Sequence, residues 1–132
     1  MLPAANRMRR SQDFKYTLKN GSRTGNAYVV VHALPVQKIQ ADPNQVGLFA
    51  QLEQPKVGFI VSKRVGNAVV RKRVTRQLKH LMRELLPQLN VSFLVIRANS
   101  AAADASYPQL QQALTKQFSQ QKLWKNGITV DK

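Results

Sequence analysis

The sequence predicts an α+β fold in which helices pack against a β-sheet. Segments rich in β-branched residues alternate with segments of helical periodicity, in the order helix, strands, helix, strand, helix. The chain has 132 residues, a length typical of one domain, so we take residues 1–132 as a single domain. Hydrophobic residues make up 43% of the chain, which is typical of a globular protein rather than a disordered one.

The chain begins with a predicted basic arm and a short helix. Residues 1–10 contain three arginines and show no periodicity. Ser11 is a typical N-cap residue and Gly21 a typical stop signal, so a helix is predicted between them. Phe14 and Leu18 are four residues apart and therefore share one face of this helix.

Four segments are predicted to be strands. Residues 26–34 are β-branched and aromatic, and residues 46–52 form a short apolar run. Residues 56–63 follow after a break of three residues, which predicts an antiparallel hairpin with the strand before it. Residues 91–98 are almost continuously apolar and are predicted to form a buried strand.

A long amphipathic helix is predicted from Asn67 to Leu86, where Pro87 ends it. At about 100° per residue, a sector of about 80° is apolar. This sector contains Val70, Val74, Leu78, Leu81 and Leu85. The opposite sector is cationic and contains Lys72, Arg73, Arg76, Lys79, His80 and Arg83. Because Glu84 is the only acid on the helix, we expect the counterions of this face to come from a partner.

A last helix is predicted after a polar loop. Ser106 can cap it, and it begins at Tyr107. Its apolar stripe consists of Leu110, Leu114 and Phe118. Trp124 is expected to pack near the end of this helix, and residues 125–132 are expected to form a frayed tail.

The charge of the chain points to a polyanionic partner. The formal net charge is +15, and like charges on a compact chain repel one another. Nucleic acid is the first candidate and an anionic membrane surface the second. A further interpretation is that the cationic face of the long helix only keeps the protein soluble. The membrane reading requires a free apolar helix face, whereas here a buried strand follows and needs covering.

Several classes of protein are excluded or disfavoured by composition. The chain has no cysteine, which excludes disulfides and thiolate metal sites and fits a cytoplasmic location. The N-terminal segment lacks the apolar core of a secretory signal. No run of about 18 apolar residues is present, so no membrane span is predicted.

One segment resembles the signature of a known family. Residues 57–76, "VGFIVSKRVGNAVVRKRVTR", resemble the box of the bacterial ribonuclease P protein subunit, approximately V-G-[LF]-x-V-S-K-K-x-G-N-A-V-x-R-N-R-x-K-R. The segment "NRMRRSQDF" resembles the family's opening, and weaker similarity covers the rest of the chain. Two positions depart from the box: Lys72 stands where Asn is usual, and Thr75 where Lys is usual.

The resemblance implies a fold, a function and partners. The implied fold is an α-β-β-β-α-β-α sandwich, similar to domain 2 of ribosomal protein S5, with a left-handed βαβ crossover that departs from the usual right-handed rule. The implied function is that of a monomeric protein subunit of ribonuclease P, an endoribonuclease that removes the 5′ leader of precursor tRNA. In this family the RNA subunit, with bound Mg²⁺, carries the chemistry. The implied partners are the catalytic RNA and precursor tRNA, with no membrane.

The resemblance also assigns two binding surfaces. We expect catalytic RNA to contact Lys63, Arg64, Asn67, Arg71, Lys72, Arg73, Arg76, Lys79 and Arg83. We expect the leader to lie in a cleft between the first helix and the sheet, contacting Arg10, Phe14, Lys15, Leu18 and His32. We add Tyr28, because it has the same strand parity as His32 and aromatic platforms beside cations hold single strands. For Phe14 ordinary core packing, and for His32 a surface-strand position, remain alternatives.

The sequence predicts no catalytic residue and no metal site in the protein itself. Its six acids are scattered, whereas metal-dependent nucleases need several carboxylates that converge on ions. A histidine-based ribonuclease would need His32 and His80 to meet in one pocket. A structural RNA-binding protein of the ribosomal type and a DNA-binding helix remain the competing functional classes.

Overall fold

The computed structural model describes residues 2–34 and 55–125. Its three α-helices are α1 (Ser11–Asn20), α2 (Ala68–Leu85) and α3 (Tyr107–Gln120). Its four strands are β1 (Ser22–Gly25), β2 (Val29–Leu34), β3 (Lys56–Ile60) and β4 (Phe93–Ala98). Short 3₁₀ helices lie at Ala4–Asn6, Leu86–Gln88 and Ser100–Asp104.

The strands form one mixed sheet in the order β1-β2-β4-β3. β2 pairs antiparallel with both β1 and β4, and β3 pairs parallel with β4. The connection between β3 and β4 passes through α2, as a parallel pair requires a long crossover. The predicted α+β class is therefore confirmed, and the hand of the crossover stays a prediction.

The sheet is covered on both faces, which explains why every residue of β2 is buried. On one face, alternate residues of β2 and β4 join α2 and α3 in the larger hydrophobic cluster. On the other face, Leu34, Phe93, Val95 and Met8 form a smaller cluster. Side chains of α1 pack against this smaller cluster, so α1 lies on the opposite side of the sheet from α2 and α3.

α2 and α3 begin at capping side chains, whereas α1 does not. Ser11, which was predicted as the N-cap of α1, is its first helical residue, and Arg10 holds the N-cap position without a side-chain hydrogen bond. The Asn67 side chain accepts a hydrogen bond of 3.0 Å from the N–H of Val70 at the start of α2. Ser106 and Gln109 form a reciprocal capping box at the start of α3. Four predicted core residues of α2 are buried, and Val70 is half-buried against them. The core of α2 also includes Met82, which the predicted apolar sector omitted.

The strands depart from the prediction in several places. The strand predicted at 56–63 ends at Ile60, and the one predicted at 91–98 begins at Phe93. β1 was not predicted, because "SRTG" has no apolar alternation. The strand predicted at 26–34 begins only at Val29, since the Asn26 side chain accepts hydrogen bonds from the N–H groups of Tyr28 and Val29 and forms a turn there. The strand predicted at 46–52 and its hairpin lie outside the described residues.

The predicted basic arm packs along the sheet. Leu2 and Met8 are buried, and the Met8 N–H donates a hydrogen bond of 3.0 Å to the carbonyl of Val57 in β3. At the other end, Trp124 packs edge-on against Phe118 as predicted. The predicted frayed tail lies beyond the described residues except for Lys125, whose N–H donates to the Gln88 carbonyl.

Candidate nucleic-acid interface

The outward face of α2 carries most of the predicted cations in exposed positions. The exposed ones are Lys72, Arg73, Arg76, His80 and Arg83, and the half-buried ones are Arg71 and Lys79. Within the described residues, the one ion pair joins His80 to Glu84, with 3.8 Å between Nε2 and Oε1. The arginine and lysine charges of this face therefore have no carboxylate partner in the described part of the chain.

A groove of about 690 Å³ runs along one flank of this face. Its lining consists of Val61, Ala68, Arg71, Lys72, Thr75, Arg76, Lys79 and His80. The Nε of Arg71 is buried and has no hydrogen-bond partner among the described residues. The hydroxyl of Thr75 donates to the Arg71 carbonyl at 2.8 Å, so it is engaged within the helix. The groove thus presents cations to a ligand, and Thr75 contributes a neutral wall.

The turn before α2 places two further predicted cations beside the helix. Lys63 and Arg64 are exposed in this turn, where the N–H of Arg64 donates to the Ser62 hydroxyl. Gly66 lets the backbone pass close to the first turn of α2, because a Cβ at this position would lie only 2.9 Å from the Val70 side chain. Asn67 caps the helix through its side-chain oxygen, so its predicted role in RNA contact coexists with a structural one.

Two residues of the cationic face also contact the rest of the fold, and one of them, His80, lines the groove as well. The Arg73 guanidinium donates a hydrogen bond to the carbonyl of Ala103. The His80 ring packs edge-on against Tyr107, with 5.8 Å between ring centroids. Burial, and then the Glu84 carboxylate, raise the pKa of Tyr107. The predicted cationic face therefore lines the groove and also contacts the β4–α3 connection.

The second predicted surface lies on the α1 side of the sheet. Phe14 packs directly over Gly58, where a Cβ would lie 2.3 Å from the Phe14 ring. Leu18 is half-buried on the same smaller cluster, while Arg10 and Lys15 are exposed. Phe14 therefore packs on the core, and because it is only partly buried, its contact with the leader stays a prediction.

His32 is in a more buried position than a surface strand would give it. It is 6% exposed, and neither ring nitrogen has a hydrogen-bond partner among the described residues. Burial lowers the pKa of His32, and the positive charges of Arg97 and Arg23 lower it further. All three causes favour the neutral form of the imidazole.

The structure does not bring Tyr28 together with Phe14 and His32. Tyr28 precedes β2 in the Asn26 turn, so strand alternation does not apply to it. Its side chain packs against the larger cluster, which lies on the α2–α3 side of the sheet. The assumption that Tyr28 shares a face with His32 was therefore wrong.

Sequence reasoning missed two cations near His32. Arg23 lies in the unpredicted strand β1 and is the cross-strand partner of His32. Arg97 is exposed in β4, although its neighbours in that strand are buried. Arg97 could have been noticed, because it is the one charged residue within the apolar run "FLVIRA". No sequence pattern marked Arg23.

Residues 2–34 and 55–125 lack two kinds of feature. They bring together no group of three His, Cys, Asp or Glu side chains that could hold a metal ion. No helix in these ranges has the length and apolar character needed to cross a membrane.

Together these features define a small, strongly basic α+β protein with a cationic helix on one side of its sheet and exposed arginine and lysine side chains on the other. The family model described as Ribonuclease P matches residues 2–122. The chain therefore belongs to the ribonuclease P protein family, as the signature box predicts.

Curated relatives agree with this assignment. The chain is 43% identical over 115 residues to the ribonuclease P protein component of Streptomyces griseus, covering 86% of this chain and 89% of that protein. It is 49% identical over 112 residues to the component from Thermobifida fusca, covering 83% and 71%.

The fold is similar to that of two solved proteins. The RNase P protein of Staphylococcus aureus matches with a TM-score of 0.72 at 22% identity, covering 91% of this chain and 98% of that one. The RNase P protein of Thermotoga maritima matches with a TM-score of 0.66 at 17% identity, covering 84% and 95%. At these identities the two structures support the fold alone.

Proposed function

We propose that this chain is the protein subunit of ribonuclease P and acts in removing the 5′ leader of precursor tRNA. In this proposal it binds the catalytic RNA through α2 and the turn before it. The observation that carries the proposal is the groove along α2, whose lining includes arginine and lysine side chains that have no carboxylate partner in the described residues. Family membership supplies the identity of the RNA.

The chemistry of the groove suits a phosphate backbone. Guanidinium groups pair with phosphate oxygens in bidentate geometry, and Arg71 and Arg76 both line the groove. Each neutralised phosphate releases condensed counterions, so affinity should fall steeply as salt rises. Lys72 adds a point charge where an asparagine would add paired hydrogen bonds, which favours charge recognition over base recognition at this position.

The leader is proposed to lie in the cleft between α1 and the sheet. Single strands are held by stacking on aromatic rings beside cationic groups. Phe14 offers a ring whose position is fixed by its contact over Gly58, and Arg10 and Lys15 are exposed on the same helix segment. This surface faces away from α2, so one protein molecule can contact catalytic RNA and leader at once.

The protein's part in the reaction is proposed to be binding and positioning. We place Mg²⁺ with the RNA subunit, where it would supply the charge stabilisation that phosphodiester hydrolysis requires. The acids Asp13, Glu84 and Asp104 lie in three different elements, and the described residues do not gather them with a histidine into a metal site. No step of hydrolysis is therefore assigned to a side chain of this protein.

Reconstitution with the cognate catalytic RNA tests this function. We expect the purified protein alone to leave precursor tRNA intact. Added to the RNA at low magnesium concentration, one protein molecule per RNA should restore cleavage at the mature 5′ end. If the protein cosediments with ribosomal subunits and leaves the cleavage rate unchanged, the proposal is wrong and a structural role in the ribosome is favoured.

A matched pair of variants separates specific contact from net charge. The substitutions Arg76→Gln and Lys79→Gln remove two cations from the groove, and Lys116→Gln with Lys125→Gln remove two exposed cations elsewhere. We expect the groove variant to bind catalytic RNA about tenfold more weakly, as the loss of two phosphate contacts implies. Equal losses for both variants would indicate that only the total charge matters.

A further inference from the structure

Three cationic or potentially cationic side chains lie side by side on the α1 face of the sheet. Arg23 in β1 is paired with His32 in β2, and Arg97 in β4 is paired with Val30. Directly paired residues and residues two apart along a strand share a face. Arg23, His32 and Arg97 therefore occupy the same face.

This face is the one that α1 covers at its other end. His32 is also paired with Val95, which in turn is paired with Gly58, the residue beneath Phe14. The smaller cluster packs at the Leu34–Phe93 pair. The Val30–Arg97 pair lies two residues further from it along the strands than the His32–Val95 pair does. Arg97 is exposed there, and Arg23 is exposed at the sheet edge. The two arginines thus extend the cleft beyond α1.

The charges at this end of the cleft have no internal partner in the described residues. Neither Arg23 nor Arg97 forms an ion pair within residues 2–34 and 55–125. Both act electrostatically on His32, which shows that their charges bear on the same region around the imidazole. Since His32 is more than nine-tenths buried with both nitrogens unpaired, a buried polar group and two unpaired cations meet at one place. Such a combination favours an anion from outside the chain.

We infer that Arg23 and Arg97 form a phosphate clamp across His32, which holds the backbone of the single strand that enters the cleft beside Phe14. The Cα atoms of the two arginines are separated by two strand spacings and two residues, about 12 Å in total. Long arginine side chains from both sides can therefore bind one phosphate or two neighbouring ones. The clamp rests on the proposed function, because it specifies how the leader is held in that cleft.

The clamp makes the contact at this end of the cleft independent of base identity. Guanidinium groups recognise phosphate oxygens, and phosphate contacts carry no sequence information. Phe14 then supplies stacking at one end of the cleft, and the arginines supply charge at the other. Leaders of different sequence should therefore depend equally on Arg23 and Arg97.

The test uses the reconstituted complex of protein and catalytic RNA, with precursor tRNA and leaderless mature tRNA as ligands. The double variant Arg23→Gln with Arg97→Gln should lower the ratio of precursor to mature affinity about tenfold. The plot of log affinity for precursor against log salt concentration should also become less steep by about 1.4, as expected for two lost phosphate contacts to a single strand. Lys116→Gln with Lys125→Gln, of the same net charge, should leave the ratio unchanged. If the wild type prefers precursor tRNA and the arginine variant has the same ratio of precursor to mature affinity, the clamp is wrong. The proposed function is not affected by that result.

Two additions make the result specific. The variant Arg23→Lys with Arg97→Lys keeps both charges and should retain part of the preference, which separates lost contact from lost folding. A leader with one neutral methylphosphonate linkage should weaken wild-type binding and have no further effect in the Gln variant; additive effects would overturn the clamp. If the wild type itself does not distinguish precursor from mature tRNA, both the leader-binding function and the clamp are wrong.

Discussion

The guanidinium of Arg73 on α2 donates a hydrogen bond to the main-chain carbonyl of Ala103, in the connection between β4 and α3. Arg76, three residues further along, is exposed and lines the groove instead. Two arginines of one cationic face therefore have different surroundings. One contacts the fold and the other faces the groove.

This difference predicts separate effects of two otherwise identical substitutions. Arg73→Gln should lower the free energy of unfolding by about 1 kcal/mol, because it removes a charged hydrogen bond at a partly solvated site. Arg76→Gln should change it by less than about 0.5 kcal/mol, as exposed substitutions usually do. Urea unfolding of both variants measures this, and equal stability of the two would show that the Ala103 contact contributes nothing.

Asn67 offers a way to separate capping from RNA contact. Asn67→Ala should lower stability by about 1 kcal/mol through loss of the cap to the Val70 N–H. Asn67→Asp keeps the cap and should keep stability, but it introduces a negative charge beside Lys63 and Arg64 and should weaken RNA binding. Thermal melting and RNA titration of both variants check this, with Asn67→Ser as the uncharged cap control. A loss of stability in the Asp and Ser variants as large as in the Ala variant would contradict the capping role.

The contact between Phe14 and Gly58 predicts an overpacking effect. Gly58→Ala places a Cβ 2.3 Å from the Phe14 ring, so we expect a loss of about 1 to 3 kcal/mol, typical of overpacked cores. Phe14→Leu combined with Gly58→Ala should cost less than the sum of the single changes, because the smaller side chain relieves the overlap. Additive losses in denaturant unfolding would mean that the two residues do not compete for the same space.

His32 predicts a pH dependence of stability. Burial, Arg97 and Arg23 lower its pKa in the folded state, so the unfolded chain binds a proton more readily. The stability contribution is therefore complete above the unfolded pKa of about 6.5 and is lost as pH falls through the lower folded pKa. Melting temperature should fall between pH 7.5 and pH 5 in the wild type and fall less in His32→Phe. If the melting temperature of His32→Phe falls as steeply as that of the wild type, His32 is not the titrating group.

Local pattern predicted the long elements well. α2 was predicted at 67–86 and spans Ala68–Leu85, because the apolar period, the Asn67 cap and Pro87 agree with one another. Met82 was omitted from the predicted core because the helical-wheel projection gave a narrow apolar sector. In the structure, a wider sector of α2 is buried, and it includes Met82. The same wheel placed the cations outward correctly, but it could not show that Arg73 meets Ala103, thirty residues away.

The sequence by itself determined the α+β class, the Ser106 cap of α3 and the two-sided character of α2, because these depend on periodicity and on residues within one or two turns. Only the tertiary structure decided that "SRTG" is a strand, which pairing with β2 and a hydrogen bond from Thr24 to the Gln117 side chain hold in place. It also decided that β4 is the parallel neighbour of β3 and that Arg23, His32 and Arg97 meet. Strand pairing joins residues far apart in the chain, and its register depends on burying both faces of the sheet at once. No local pattern carries that information.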